Sequence, residues 1–457
     1  MMKNASHPFI GHANNTSAIE KKNCGRRNFI KQSVFASGAI LFGSSLLASN
    51  INGNLFFANN PSPRHILLRS GWQVENIGDI AHTPSMLRLL KQYVPDAQVT
   101  FWPHYHYLPP EEVAMLKRAF PNLTIVEGKL AANGDIPDAI AKAMDEADFF
   151  LNGSGPATLG WAEALAFKKR TGKPYGVYGV TYGLYGTPEK EMLSDAAFVY
   201  FRDSISLALA KQVGIHAPVM GFAPDAAFAF NTKDRVKANA FLKSNKLQPG
   251  KFLCCIPKHR LTPVWLHEHK GRPFDAQRNA RNEEMMEHDH VPLRAAIIAV
   301  VRQTNLKVLI VAEDITQTAL GKKEVWDKLP VDVQKKVVWR PNFWMPDEAL
   351  SIYLLSKGLF SFEMHSPIMC IGNGIPALVC RWQEQSSKGI MWRDIGLGDW
   401  LFDFDKEEEV KQFAPMVLKM AKRPAAFKAK AVQAQKRVRE LQRNTMMVVE
   451  KASKATK

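Results

Sequence analysis

Cysteine is scarce, with five residues in a chain of 457. None stands in a CxxC pair. Cys254 and Cys255 adjoin inside an apolar run, and Cys370 and Cys380 are isolated. These spacings exclude a disulfide framework and a cysteine-based zinc site. The mature cysteines are expected as buried structural thiols. No aromatic RNP-type motif or zinc-finger spacing occurs, so no nucleic-acid partner is expected. Acidic residues are outnumbered, 43 against 60 Lys and Arg, for a formal charge of +17. That balance suits an anionic partner without choosing among acidic polysaccharide, nucleic acid and phospholipid surface. Long hydrophobic runs are also few. The run VFASGAILFGSSLLA (34–48) is short for a membrane span and is spaced by Gly and Ser. No stable span is expected once the leader is removed.

The N-terminus carries a more specific pattern. Residues 25–31 read GRRNFIK, and the apolar run follows at once. The pair Arg26-Arg27, with Phe29 and Lys31, resembles the twin-arginine export signal. Small residues near Ala48 or Ala58 suit cleavage. The resemblance implies a periplasmic or other extracytoplasmic protein, with residues 1–60 as signal and linker.

Beyond that leader the composition is 46% hydrophobic, enough for two ordinary cores. Short apolar runs alternate with amphipathic stretches. Strands are predicted at 65–70, 98–103, 123–128, 148–153, 175–180 and 198–203. A second series is predicted at 252–257, 307–314, 337–341, 358–365 and 376–381. Helices are predicted over 84–93, 137–147, 157–170, 233–245, 293–303 and 347–356. This rhythm argues for parallel sheets with helical crossovers. Two Rossmann-like domains are expected, 61–245 and 246–405, followed by a basic helical tail, 406–457. The tail segment AFKAKAVQAQKRVRELQ carries a weak apolar stripe, so it is expected to fold back across the domains. Between the strand at 252–257 and the helix at 293 a long polar loop is expected, rich in His and Arg.

The stretch FSFEMHSPIMCIGNGIP (360–376) looks like a strand running into a helix. Alternation along that strand would put Glu363 and His365 on one face at its carboxyl end, where open α/β sheets bind ligands. Other short motifs fall at similar places. NIGD (76–79) supplies Asn76, Gly78 and Asp79, with Asp79 a candidate helix cap or base. NGSG (152–155) supplies Gly153 and Gly155, whose backbone suits close ligand approach. FRDS (201–204) supplies Arg202 as a candidate cation, with Asp203 or Ser204 as a cap. Asp225 follows Pro224, and Lys388 precedes IGLGDW.

In their order, these motifs resemble the polysaccharide pyruvyl transferase family over about residues 65–405. The resemblance implies a two-domain fold similar to GT-B glycosyltransferases. It implies transfer of the enolpyruvyl-derived carbon of phosphoenolpyruvate onto a sugar diol as a ketal, with a polysaccharide or glycan as substrate. His365 matches the family's histidine near the donor, and phosphate is expected at the helix start beside it. The implied catalytic set is His365, Glu363 and Asp79. The implied substrate-binding set is Asn76, Gly78, Gly153, Gly155, Arg202, Arg260 and Lys388. The family usually has Arg two residues before its histidine, where this chain has Glu363. Arg260, Arg278 or Arg281 of the polar loop is expected to compensate. Glu313, Asp314, His288, Asp289 and His290 offer further metal-type ligands, but with no tight spacing, and no metal or cofactor is expected. Phosphoenolpyruvate is a cytoplasmic metabolite, which sets the donor against export. Two alternatives stay open: an exported hydrolase or lyase acting on an acidic glycan, and a non-catalytic binder of anionic glycan.

Overall fold

The computed structural model describes residues 64–454 apart from 72, 105–107 and 184–185. The export motif and the run that follows it lie outside the described residues.

Among the described residues, thirteen strands form two wholly parallel sheets. The first has seven: β1 (His65–Ser70), β2 (Gln98–Pro103), β3 (Thr124–Ile125), β4 (Phe149–Asn152), β5 (Tyr175–Val180), β6 (Val199–Phe201) and β7 (Met220–Phe222). Their order is β3-β2-β1-β4-β5-β6-β7. The second sheet has six: β8 (Phe252–Ile256), β9 (Lys307–Ile310), β10 (Val337–Trp339), β11 (Leu359–Ser361), β12 (Ala377–Arg381) and β13 (Leu401–Asp403), in the order β10-β9-β8-β11-β12-β13. Both orders reverse direction beside their first strand, at β1/β4 and at β8/β11. The carboxyl ends of those strands open the crevice where such sheets bind ligands. The change of sheet falls between Phe222 and Phe252.

The burial patterns explain why the apolar runs were legible. All residues of β1, β4, β5 and β8 are buried, as parallel strands covered on both faces require. The short β7 and β13 lack such a run and were not foreseen. Two other expectations are corrected. Most of the polar loop is helix: Ala276–Gln303 is continuous, capped by Asp275 accepting from Arg278 N, and it carries Pro292 inside. The helix expected from Pro84 begins at Ile77.

The C-terminal helix Pro424–Ala452 does cross both halves. Phe427, Ala431, Ala434 and Val438 share the core of the second sheet, while Met446 and Val449 share a core with β1 and β4. Their spacing of three and four residues is one helix face. Tyr178 Oη and Thr445 Oγ1 lie 3.0 Å apart, and Gln435 Nε2 donates to Gly372 O at 2.6 Å, so polar contacts tie the helix to both sides.

A buried acid marks the helix Pro110–Ala119. Glu112 is 2% exposed, and burial pushes its carboxyl up to about 8. The fold therefore keeps a proton that the unfolded chain releases near 4.5. This stabilisation is complete below about pH 4.5 and is lost as pH rises to about 8. Glu112→Gln is expected to gain on the wild type by a few kcal/mol between about pH 5 and about pH 9, read from urea midpoints. An unchanged difference across that range would contradict it.

Candidate functional site

Helix Ile77–Tyr93 starts beside the carboxyl end of β9. Asn76, its cap, accepts from Gly78 N at 2.8 Å and Asp79 N at 3.4 Å. Asp79 is thus not the cap, and its carboxylate faces Gln73, whose Nε2 donates to it. The helix meets the other half directly: Ile77 N donates to Glu313 O at 2.9 Å, and Ile315 N to Glu75 O at 2.9 Å. Gly78 is needed for close approach. A Cβ there would lie 2.1 Å from His365 Cβ. Gly78→Ala is expected to displace His365 and cut turnover at least tenfold, and the clash is expected to lower the thermal midpoint as well.

The expectation that Glu363 and His365 share a strand face is corrected. Strand β11 ends at Ser361, and His365 is the first residue of helix His365–Gly372. The two side chains nonetheless reach one cavity of about 240 Å³. Asp79, Asn76 and Arg202 line it from the first half, and Glu363, His365 and Lys388 from the second. The expected anion at the helix start is also corrected. Glu313 takes that place, accepting from His365 N at 3.2 Å and Ser366 N at 2.5 Å.

His365 is 3% exposed, with Nε2 3.9 Å from Asp79 Oδ1 and Nδ1 3.3 Å from Glu313 Oε1. Burial, then the charge of Lys388, pushes its imidazole down to about 3. Its ring meets that of His82 edge-on, with centroids 5.0 Å apart. His82 Nδ1 lies 3.2 Å from Asp225 Oδ1, and Arg202 Nη1 donates to Asp225 Oδ2 at 2.7 Å. Burial opposes the Asp225 carboxylate, yet His82 and Arg202 hold it well below the usual range. Asp225 also accepts from Ser154 Oγ and Ala227 N, so it braces the cavity from behind.

Glu363 is not a bare anion. Lys258 Nζ donates to its Oε1 at 2.7 Å, and Gln317 Nε2 to the same atom at 2.6 Å. Burial works against the Lys258 ammonium, but Glu363 raises its pKa. Lys388 differs. Burial lowers its pKa, and Lys258 and Arg202 add to that, against a pull from Glu363. Lys258 follows Pro257 just past β8, and that position was the available signal for it. Gln73, His267 and Lys270 also line the cavity without a motif to mark them. His267 Nε2 lies 3.0 Å from Asp314 Oδ1, and Lys270 Nζ donates to Gln73, so the 257–275 segment roofs the cavity and reaches the first half.

Several expected residues lie elsewhere. Arg260 is held by Asp289 at 2.9 Å, Glu384 at 3.1 Å and Asp405 at 2.6 Å, and it does not line the cavity. Three carboxylates consume the cation that was expected to receive substrate. Arg278 pairs with Asp275, and Arg281 with Glu284 and Glu384, so neither compensates for Glu363; Lys258 does. His288, Asp289 and His290 lie on the long helix, with Asp289 committed to Arg260. Gly153 and Gly155 line a separate small cavity of about 20 Å³ with Ser70 and His104. Asp203 is the expected cap, accepting from Ser206 N at 2.8 Å.

Among the described residues, Asp79, His82 and His365 offer ligand atoms within 4.8 Å of one another, a possible metal grouping. Arg202, Lys258, Lys270 and Lys388 outnumber the carboxylates of Asp79, Asp314 and Glu363 in the cavity wall, a balance that suits an anion better than a bare dication.

Two parallel α/β sheets, each presenting its switch point to one crevice, define a GT-B-like fold. The chain matches the model of the polysaccharide pyruvyl transferase family over residues 76–384 and belongs to that family. Among solved structures it is similar to Anabaena Alr3699/HepE in complex with UDP and glucose, at TM-score 0.52 and 11% identity, covering 85% of this chain and 100% of that one. It is also similar to TcCGT1 in complex with UDP, at TM-score 0.50 and 13% identity, covering 86% and 99%. At such identities the likeness is one of fold. No curated protein matches the sequence.

Proposed function

We propose that this chain transfers a pyruvyl group from a phosphorylated enol donor to a sugar diol of an exported polysaccharide. The observation that carries this reading is the convergence of Arg202, Lys258 and Lys388 with His365 and Asp79 on one cavity between the two sheets. The cations suit the donor's phosphate and carboxylate. Lys388, an ammonium with a lowered pKa, delivers a proton to the donor's methylene carbon, and the first sugar oxygen adds to the adjacent carbon. His365, neutral at working pH, takes the hydroxyl proton, and the Asp79 carboxylate 3.9 Å from Nε2 favours the imidazolium that forms. The second sugar oxygen then adds to the same carbon. Its proton and the phosphate leave together, and the ketal remains.

Two groups with separated pKa values thus carry acid and base roles. Activity is expected to fall as pH rises through the lowered Lys388 value, below the ordinary 10.5. No acidic limb from His365 is expected near 6.5. The test is mass spectrometry of acidic and neutral glycans incubated with the purified protein and phosphoenolpyruvate, with UDP-glucose as the competing donor. A ketal-mass product with phosphate release supports the reading. A hexose adduct from UDP-glucose alone would overturn it.

Glu363 favours a second reading, since it replaces the family's usual arginine. In that reading water enters where the second hydroxyl leaves, and a glycan ketal is hydrolysed to diol and pyruvate. Pyruvate release from a pyruvylated glycan separates the two.

Export is part of the proposal. Changing Arg26 and Arg27 together to Lys is expected to leave the precursor in the cytoplasm, read by cell fractionation. Unchanged export would remove the twin-arginine route, whereas a wild type that stays cytoplasmic would remove the extracytoplasmic assignment and with it the tension with a cytoplasmic donor.

A further inference from the structure

Helices Ile77–Tyr93 and His365–Gly372 begin at the cavity just described. Their opposite ends border a second cavity, of about 350 Å³. Four segments enclose it. Arg88 and Tyr93 come from the first of these helices, and Lys233 from the crossing between the sheets. Asn373 comes from the end of the second helix, and Arg439 from the C-terminal helix. No Asp or Glu lines this space.

Three cations therefore face a cavity without a carboxylate. Among the described residues, Arg88, Lys233 and Arg439 make no ion pair or side-chain hydrogen bond, although carboxylates elsewhere in the chain are extensively paired. Arg88 is half-buried. Burial, and then the charge of Arg439, lowers its pKa, so the two guanidinium groups repel one another. Gathering like charges at a partly buried place costs free energy unless an anion neutralises them. Guanidinium forks match the oxygens of a phosphate, and Lys adds a point charge. Gly372 fixes the tight seam beside the cavity, because a Cβ there would lie 1.9 Å from Phe228 O.

We propose that this cavity binds a phosphate group, either free or as a phosphomonoester, held by Arg88, Lys233 and Arg439 and so bridging the first half, the crossing between the sheets and the C-terminal helix. The volume exceeds that of a phosphate ion and leaves room for a small organic part. The site is separate from the one that carries the transfer reaction and does not rest on that reading. Its position gives it leverage. Arg88 belongs to the helix that starts with the Asn76 cap and Asp79, and Asn373 ends the helix that starts with His365. An anion held by Arg88 and Arg439 ties the first helix to the C-terminal helix, whose Gln435 donates to Gly372 O of the second, and so acts on the Asp79–His365 spacing.

The test is calorimetric titration of inorganic phosphate, and separately of glucose 6-phosphate, at constant ionic strength set with chloride. The proteins are the wild type, Arg88→Gln/Arg439→Gln, and Lys258→Ala/Lys388→Ala. The arginine pair is expected to lose at least tenfold in affinity at one site, while the lysine pair keeps that site. Preference for glucose 6-phosphate identifies the phosphomonoester, and equal binding identifies free phosphate. Circular dichroism checks that the arginine variant is folded, and Arg439→Gln alone, at an exposed position, is expected to show an intermediate loss. Wild-type binding that the arginine changes leave untouched, or no binding that the lysine pair retains, would overturn the proposal. Neither result would touch the transfer reaction, which is assayed on its own product.

Discussion

His365→Gln is expected to lower kcat by about a hundred- to ten-thousandfold, with KM changed by no more than a few fold. The side chain stands where both halves meet. Gly78 admits it, Asp79 faces its Nε2 at 3.9 Å, and Glu313 holds its backbone N–H and lies near Nδ1. Burial and the charge of Lys388 keep the ring neutral down to about 3, and once Lys388 has given up its proton that repulsion is gone and the ring becomes the better base. Glutamine keeps polarity and approximate size but cannot take a proton. A loss confined to kcat therefore separates base catalysis from loss of shape. Phosphate release under saturating donor is the measurement, with circular dichroism as the check on folding. A kcat within tenfold of the wild type would place the base elsewhere. A matched rise in KM would make His365 a binding residue. The pH profile gives an independent reading, since a structural histidine would leave the alkaline limb of Lys388 in place while kcat at its plateau stayed high.

Much of this site was legible before any coordinates, and the reasons are local. The fully buried strands β1, β5 and β8 announce themselves as apolar runs, and the motifs NIGD, NGSG and FRDS fall at or just past the ends of β1, β4 and β6. Asn76, Asp79, Arg202, Glu363, His365 and Lys388 reach one cavity because each follows such a strand or a short crossover from it. What was not legible depends on pairing across distance. Arg260 looks like a ligand cation until Asp289, Glu384 and Asp405 arrive from positions 29 to 145 residues away. Glu313 looks like a free acid until it closes the end of helix His365–Gly372. Lys258 carries no motif, and only the neighbouring β11 brings Glu363 to it. The long helix Ala276–Gln303 was hidden by its own polarity, with many exposed faces and an internal proline that mimic a loop. The two short edge strands β7 and β13 offer three residues each, too few for a period to show.

Glu363→Gln is expected to raise affinity for phosphoenolpyruvate by tenfold or more. The wild-type carboxylate engages Lys258 at 2.7 Å, so the pair presents little net charge to the cavity. Removing the negative member leaves Lys258 free to meet an incoming anion, and glutamine can still bond with Gln317. A unit charge about 4 Å from another is worth on the order of 4 kcal/mol at an effective dielectric of 20, and about 1 in water. Glu363 is only 2% exposed, which favours the upper part of that range, while the existing pairing with Lys258 reduces it. Tenfold, about 1.4 kcal/mol, is the conservative reading of that balance. Glu363→Arg should gain less, because it sets two cations side by side in a buried place and lowers stability. Calorimetric titration of phosphoenolpyruvate into the three proteins gives the order directly, with the ketal assay run in parallel. Tighter binding with retained transfer means that Glu363 limits the donor's residence. Tighter binding with lost transfer means that the carboxylate is needed for the chemistry itself, which favours hydrolysis of a ketal. Weaker binding in Glu363→Gln would show that the carboxylate serves the donor by holding Lys258 in place, and would contradict the charge account.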